Sequence, residues 1–293
     1  GAFLTDQYFE VDRLPLRGES IDAHATSTAP GGKGANQAVA AALLGACVGF
    51  VGVVGDDEAG KAGTEALAAL GVEVSQVLVT ADAPTGHSCI VLDPAGDQII
   101  VNSAGAAAML SADQAVAAAR QLEPSIILLQ GEIPSRTSLA VASALPQALV
   151  IADPSPSAAF RSEGFDHVDI LTPNITEARD ITGLPDPTAA DVAAATKVAT
   201  VLVTRGGAGV DMFAGAHREI IPAAPTSVVD TTGAGDAFNG ALATALYAGR
   251  TLHEAVEFAV TAASWSVGRK YCIPSFPRRE DLSAGELSLG GRH

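Results

Sequence analysis

The run Asp230-Thr-Thr-Gly-Ala-Gly-Asp236 leads straight into an apolar helix-forming stretch, Ala237–Tyr247. Small residues let such a loop close tightly and leave the backbone N–H groups of Gly233, Ala234 and Gly235 free. At a helix N-terminus the macrodipole adds to their attraction for an anion. Asp236 then stands at the mouth of that anion site. A carboxylate there suits a general base that takes a proton from a hydroxyl attacking a phosphoryl group. The plainer alternative is an N-cap aspartate after a glycine turn, the reading a lone Gly-x-Gly-Asp would favour.

Three further clusters carry donors or acids. Gly31-Gly-Lys-Gly-Ala-Asn-Gln37 precedes the helical stretch Ala38–Leu44, and its adjacent glycines admit a ligand to the backbone while Lys33 and Asn36 supply donors. No GxxxxGK[ST] occurs anywhere and no GxGxxG follows a strand, so neither a Walker A loop nor a dinucleotide fingerprint is present. A simple helix-opening turn is the alternative. Thr172-Pro-Asn-Ile-Thr-Glu177 follows the strand candidate Ile170–Leu171. Asn174 and Glu177, three apart, can face a hydrated magnesium ion and phosphate oxygens, or can instead form a capping pair. Thr204-Arg-Gly-Gly-Ala-Gly209 follows an apolar strand and could hold a nucleotide by its backbone, or be a tight turn before a strand near Val210–Phe213. Two single acids complete the set. Glu132 follows Ile126–Gln130 and Gly131 at a strand's carboxyl end, and Asp6 lies early; either alone reads as a surface acid.

The elements that must position these residues alternate along the chain. Strand candidates are Val48–Val54, Ile126–Gln130, Leu149–Ala152, Ile170–Leu171 and Val201–Thr204. Helix candidates are Gly34–Leu44, Ala59–Leu70, Ala112–Gln121, Arg136–Ala144, Thr176–Thr182, Ala234–Ala248 and Leu252–Val267. This alternation predicts an α/β fold with a mostly parallel sheet covered by helices. Two regions break the rhythm. Tyr8–Ala29 and Gly86–Asn102 read as antiparallel strands, the second a hairpin turning at Asp93–Asp97, and together they suggest a small β lid. No repeat or linker separates a second domain, so residues 1–293 are expected to form one. The formal net charge of -16 argues against extended contact with nucleic acid. No uninterrupted apolar run is long enough to span a membrane. Three scattered cysteines, Cys47, Cys89 and Cys272, fit reduced thiols in the cytoplasm, and neither a CxxC pair nor a histidine cluster suggests zinc. The chain opens on Gly1 and not on Met, which implies that a few residues precede it.

Taken in order, these motifs resemble the ribokinase family of sugar kinases, also called the phosphofructokinase-B family, over essentially the whole chain. Gly31–Gln37 and Asp230–Gly240 resemble its two signature regions, and Asn174–Glu177 its Asn-x-x-Glu motif. The resemblance implies a three-layer α/β/α sandwich with a β-sheet lid. It implies transfer of the γ-phosphate of ATP to a sugar's primary hydroxyl, with ribose the leading expectation; the alternatives are a same-fold kinase for another sugar, a sugar acid or a nucleoside, or a non-catalytic sugar- or nucleotide-sensing protein on the same scaffold. On that reading Asp236 is the base and Gly233, Ala234 and Gly235 form the anion hole. Asp6, Gly32, Lys33, Asn36 and Glu132 fall where the family holds sugar hydroxyls. Asn174, Thr204, Arg205, Gly206, Gly207, Gly209 and Gly235 fall at nucleotide positions, and Glu177 where hydrated Mg²⁺ is organised. Asp230, Thr232, Ser266, Arg269, Tyr271 and Ser275 fall where an activating monovalent cation, K⁺, is bound mostly by carbonyls. The lid is also expected to form a homodimer contact. Two positions depart from the pattern: Leu4 stands where an amide would meet a sugar hydroxyl, and Tyr271 where a glycine is common. A site that loses such a polar partner tolerates a ligand lacking that hydroxyl.

Overall fold

The computed structural model describes residues 1–161 and 164–282. The first part contains β1 (Leu4–Glu10), β2 (Ala25–Gly31), α1 (Lys33–Leu43), β3 (Val48–Gly49), β4 (Gly52–Gly55), α2 (Glu58–Ala69), β5 (Val72–Glu73), β6 (Val77–Thr80), β7 (Thr85–Leu92) and β8 (Gln98–Gly105). The middle contains α3 (Ala112–Leu122), β9 (Ile126–Gln130), α4 (Ser135–Ala144), β10 (Leu149–Asp153), α5 (Ala158–Arg161), β11 (Ile170–Leu171), α6 (Ile175–Thr182) and α7 (Ala189–Thr196). The last part contains β12 (Thr200–Thr204), β13 (Val210–Ala214), β14 (His217–Ile221), α8 (Ala234–Tyr247) and α9 (Leu252–Ser266).

Strands β9 to β12 are short apolar runs, the composition of a parallel sheet buried on both faces. They pair parallel in the order β12-β11-β10-β9, and the antiparallel hairpin β13–β14 extends the β12 edge to six strands. Alternation along β10 divides the interior. Val150 and Ala152 join a core with Ala115 of α3, Val141 of α4 and Val192 of α7. Ile151 points the other way, to Phe238 and Leu242 of α8 and Val256 of α9. Helices therefore cover both faces, and the architecture is a three-layer α/β/α sandwich. Because β9 to β12 run parallel, their carboxyl ends open on one edge, where ligands of open α/β sheets collect.

A separate four-stranded sheet has the order β2-β1-β7-β8. The β7–β8 hairpin turns at Asp93–Asp97 as expected, with the Asp93 side chain accepting from the N–H groups of Ala95 and Asp97. The sheet is wider than 8–29 and 86–102, beginning at Leu4 and ending at Gly105, and its central pair β1–β7 is parallel. The run Val48–Val54 is not one strand. Phe50 donates its N–H to the Glu73 carbonyl at 2.9 Å, and the chain divides into β3, paired with β5, and β4, paired with β6. Helix α7 was not expected; Thr188 and Asp191 close a capping box at its start. Among the described residues, no helix is long and apolar enough to cross a membrane.

Candidate active site

Helix α8 starts without a side-chain cap. Its N-cap is Gly233, held at φ 77°, where a Cβ would strike the Cys272 thiol. Asp236 is therefore not the N-cap; it is the third residue of the helix and only 5% exposed. Both its oxygens accept from α1: Oδ2 from Asn36 Nδ2 at 3.0 Å and Oδ1 from Gln37 Nε2 at 3.1 Å. The two helices come close because α8 offers Gly240, where a Cβ would lie 2.6 Å from the Ala40 Cβ. Burial pushes the Asp236 carboxyl above its usual range, with Lys33 and the two amides working against that rise. The turn's donors are not all free, since Ala234 gives its N–H to the Thr231 carbonyl at 3.2 Å. A Cβ at Gly235 would meet nothing within 4 Å, so the backbone there is open to a ligand.

Asp236 lies in a cavity of about 570 Å³. Asp6, Gly32, Lys33, Asn36 and Glu132 line it, so the structure brings the expected sugar set together with Asp236. Asp6 sits over Gly31, whose α-carbon could carry no side chain there; burial lifts its carboxyl to about 6. Glu132 accepts the Lys33 N–H at the start of α1 at 2.6 Å, and burial lifts it to about 7. Burial opposes the Lys33 charge, but Asp236, Asp153, Glu132 and Glu177 outweigh it and hold the ammonium above its ordinary pKa. Asn36 Oδ1 is a buried acceptor with no partner among the described residues, which suits a hydroxyl donor from a ligand.

Asn174, Glu177 and Thr204 line the same cavity, and Asn174 bridges to Thr204 in parallel fashion. The capping alternative is realised here. Asn174 Oδ1 accepts from Thr176 and Glu177, and Glu177 Oε2 accepts the Asn174 N–H at 2.8 Å. The glycine loop after β12 is likewise a tight turn, with a short 3₁₀ segment Gly206–Ala208. Arg205, Gly206, Gly207 and Gly209 do not line the cavity. The Arg205 guanidinium is engaged by Asp186 at 2.7 Å and by the Pro187 carbonyl. Gly209 is needed because a Cβ would strike the Ile221 carbonyl. Gly206 and Gly207 have open space at their α-carbons.

The expected cation residues gather beside the α8 turn. Asp230 accepts from Thr232 at 2.9 Å and from Tyr271 at 2.8 Å, tying two loops together, and Tyr271 adopts φ 67°. Ser266 and Ser275 share a buried hydrogen bond of 2.6 Å. Arg269 directs its side chain outward over Trp265, so only its backbone could serve a cation.

Several residues outside the expected site set also belong to this centre. Asp153, at the end of β10, lines the cavity and is lifted by burial to about 8. Thr172 bonds Asn239 at 2.8 Å, and Gln37 links Asp236 to Asp153. Leu4, Ile90 and Ile100 give the cavity an apolar wall beside Asp6.

The profile of the pfkB family carbohydrate kinases matches residues 1–279. A ribokinase of Bacillus subtilis is 39% identical to this chain over 96% of each protein. The crystal structure of a ribokinase from Thermotoga maritima superposes with a TM-score of 0.88 at 34% identity, covering 97% of this chain and 96% of that one. The ribokinase of Arabidopsis thaliana complexed with ribose and ATP gives a TM-score of 0.81 at 36% identity, over 96% and 95% of the two chains. With the family profile spanning nearly the whole chain around a buried aspartate at an open glycine turn, this protein belongs to the pfkB family of carbohydrate kinases.

Proposed function

We propose that the protein phosphorylates D-ribose at its primary hydroxyl with ATP, yielding ribose 5-phosphate. One observation carries the chemistry: a buried carboxylate, Asp236, held by two amides beside the open backbone of Gly235, in one cavity with Asp6, Lys33 and Glu132. Asp236 takes the hydroxyl proton, and its raised affinity for protons makes it a better acceptor than a surface carboxylate. The Gly233 and Gly235 N–H groups, with the α8 dipole, face the charge that develops on the transferring group. Asp6, Glu132 and the unpartnered Asn36 Oδ1 accept from sugar hydroxyls, while Lys33 donates.

The residues present fit the nucleotide and its metal. Asn174 keeps its amide nitrogen outside the capping box, Glu177 spends only Oε2 in it, and Thr204 stands beside them. Mg²⁺, held through water by Glu177, would neutralise phosphate charge. Gly206 and Gly207 would meet the nucleotide's outer part by backbone alone. K⁺ would be held by carbonyls of the Asp230–Thr232 and Ser266–Ser275 loops, which Asp230 draws together. We further propose that the chain acts as one catalytic domain in the cytoplasm, with the four-stranded sheet as its lid. That sheet exposes Ile99 and Val101, which share the face of β8 opposite Ile100, apolar surface suited to a second copy of the chain.

Leu4 with Ile90 and Ile100 supports a second reading, a kinase for another sugar, a sugar acid or a nucleoside. ADP release measured with ribose, ketohexoses, keto-deoxy acids and nucleosides separates the two. Turnover of ribose at least tenfold above the rest, in kcat/KM, is expected; no turnover of ribose removes the narrower assignment.

A further inference from the structure

We propose that Gln37 is a positioning residue for phosphoryl transfer: its side-chain amide ties the Asp236 carboxylate to Asp153 and holds the base in the orientation that meets the acceptor hydroxyl. The inference rests on reading Asp236 as that base.

Gln37 is 1% exposed, and a buried primary amide must place two donors and an acceptor. All three are used by side chains. Nε2 donates to Asp153 Oδ2 at 2.8 Å and to Asp236 Oδ1 at 3.1 Å, while Oε1 accepts from Gln130 Nε2 at 2.6 Å. Asp153 and Gln130 are register partners at the ends of β10 and β9. The sheet thus fixes the amide from two sides, and the amide fixes the helix-borne base. Asn36, next along α1, holds the other oxygen of Asp236, so one turn of α1 clamps both. The clamp requires α1 and α8 to touch closely, which Gly240 permits: a Cβ there would lie 2.9 Å from the Gln37 carbonyl.

A glycine-permitted helix crossing needs no polar side chain at its centre. The Gln37 donors instead end on two carboxylates that line the cavity, while Gln37 itself does not line it. Its effect on the reaction must therefore pass through Asp236. Loss of the Gln37 bond frees the carboxylate to rotate about the single remaining amide contact, and misplacement of that kind costs about tenfold to a hundredfold in rate.

Steady-state kinetics of Gln37→Leu, Asp236→Asn and the double variant, with ribose and Mg·ATP, test this. Gln37→Leu is expected to lower kcat about tenfold to a hundredfold, with both KM values within about threefold. In the Asp236→Asn background the same substitution is expected to change kcat by less than about twofold, because the group it positions is gone. An unchanged kcat in Gln37→Leu, a loss falling on KM, or an equal loss in both backgrounds overturns the inference while leaving the base assignment standing. Full turnover in Asp236→Asn removes both. Should Gln37→Leu not fold, Gln130→Leu releases the amide's acceptor instead. It is expected to give a smaller kcat loss that also vanishes in the Asp236→Asn background, and persistence of that loss overturns the inference equally.

Discussion

Replacing Asp236 by asparagine separates catalysis from folding, because the shape is kept and only the charge and one acceptor are lost. The native carboxylate accepts from Gln37 on Oδ1 and from Asn36 on Oδ2, which also meets the Cys272 thiol at 3.9 Å. Asparagine offers one acceptor, so one amide donor of α1 would face another donor, at a cost of about 1–3 kcal/mol. Burial already disfavours the native charge, which is why the carboxyl titrates above its ordinary range, and removing that charge offsets part of the cost. The net change in stability is therefore about 1 kcal/mol, a Tm shift of only a few degrees for a protein of this size. Catalysis has no such offset. A general base contributes about 10²- to 10⁴-fold, or about 2.7–5.5 kcal/mol of barrier. Coupled ADP-release kinetics are expected to show kcat at least about a hundredfold lower, with the KM for ATP unchanged, since Asn174 and Thr204 are not altered. Thermal denaturation of the same sample supplies the control. A kcat within about threefold of the parent, with Tm unchanged, would refute Asp236 as the proton acceptor.

The ligand-free protein is expected to lose stability as pH rises from about 4 to about 8. Asp6, Glu132 and Asp153 bind protons more tightly folded (about 6, 7 and 8) than unfolded, so the folded state holds more protons throughout that window. Tm should be higher at pH 5.5 than at pH 8, with Asp153→Asn narrowing the gap; a flat or reversed profile would show that these acids are not desolvated. Arg205→Ala is expected to lower Tm by several degrees while leaving the KM for ATP within about twofold, because its guanidinium serves Asp186 and Pro187. A tenfold rise in that KM would return Arg205 to the nucleotide site. Exchange of K⁺ for Na⁺ or a bulky organic cation should lower kcat, and indifference to the exchange would dispose of the cation site beside Asp230.

The parts of this fold legible in the sequence are those with local causes. Apolar runs such as Ile126–Gln130 and Leu149–Ala152 could only be buried strands, and Asp93–Asp97 could only turn a hairpin. What failed depended on partners far along the chain. Val48–Val54 reads as one strand until Glu73 takes the Phe50 amide. Alternation in β1 and β7 cannot reveal that they lie parallel, because the side-chain period is the same in either sense. Helix α7 escaped for a different reason: eight residues rich in alanine carry little amphipathic signal, and the capping box that starts it is only two side chains.

The candidate site shows the same division, and it explains why two readings of one motif can both hold. Asn174 and Glu177 form a capping pair, yet the pair stands at the carboxyl end of β11, and both residues line the cavity. A cap and a ligand are therefore not rival roles: the cap fixes the side chains that a ligand would meet. Glu132 behaves likewise, holding the first N–H of α1 while lining the cavity. Gln37 carries that logic to Asp236, across 199 positions of sequence, and no pattern in the chain could disclose it. In this site the residues proposed to meet ligands are readable because glycines and acids mark them, whereas those that hold them still are ordinary amides, recognisable only once β9, β10, α1 and α8 meet.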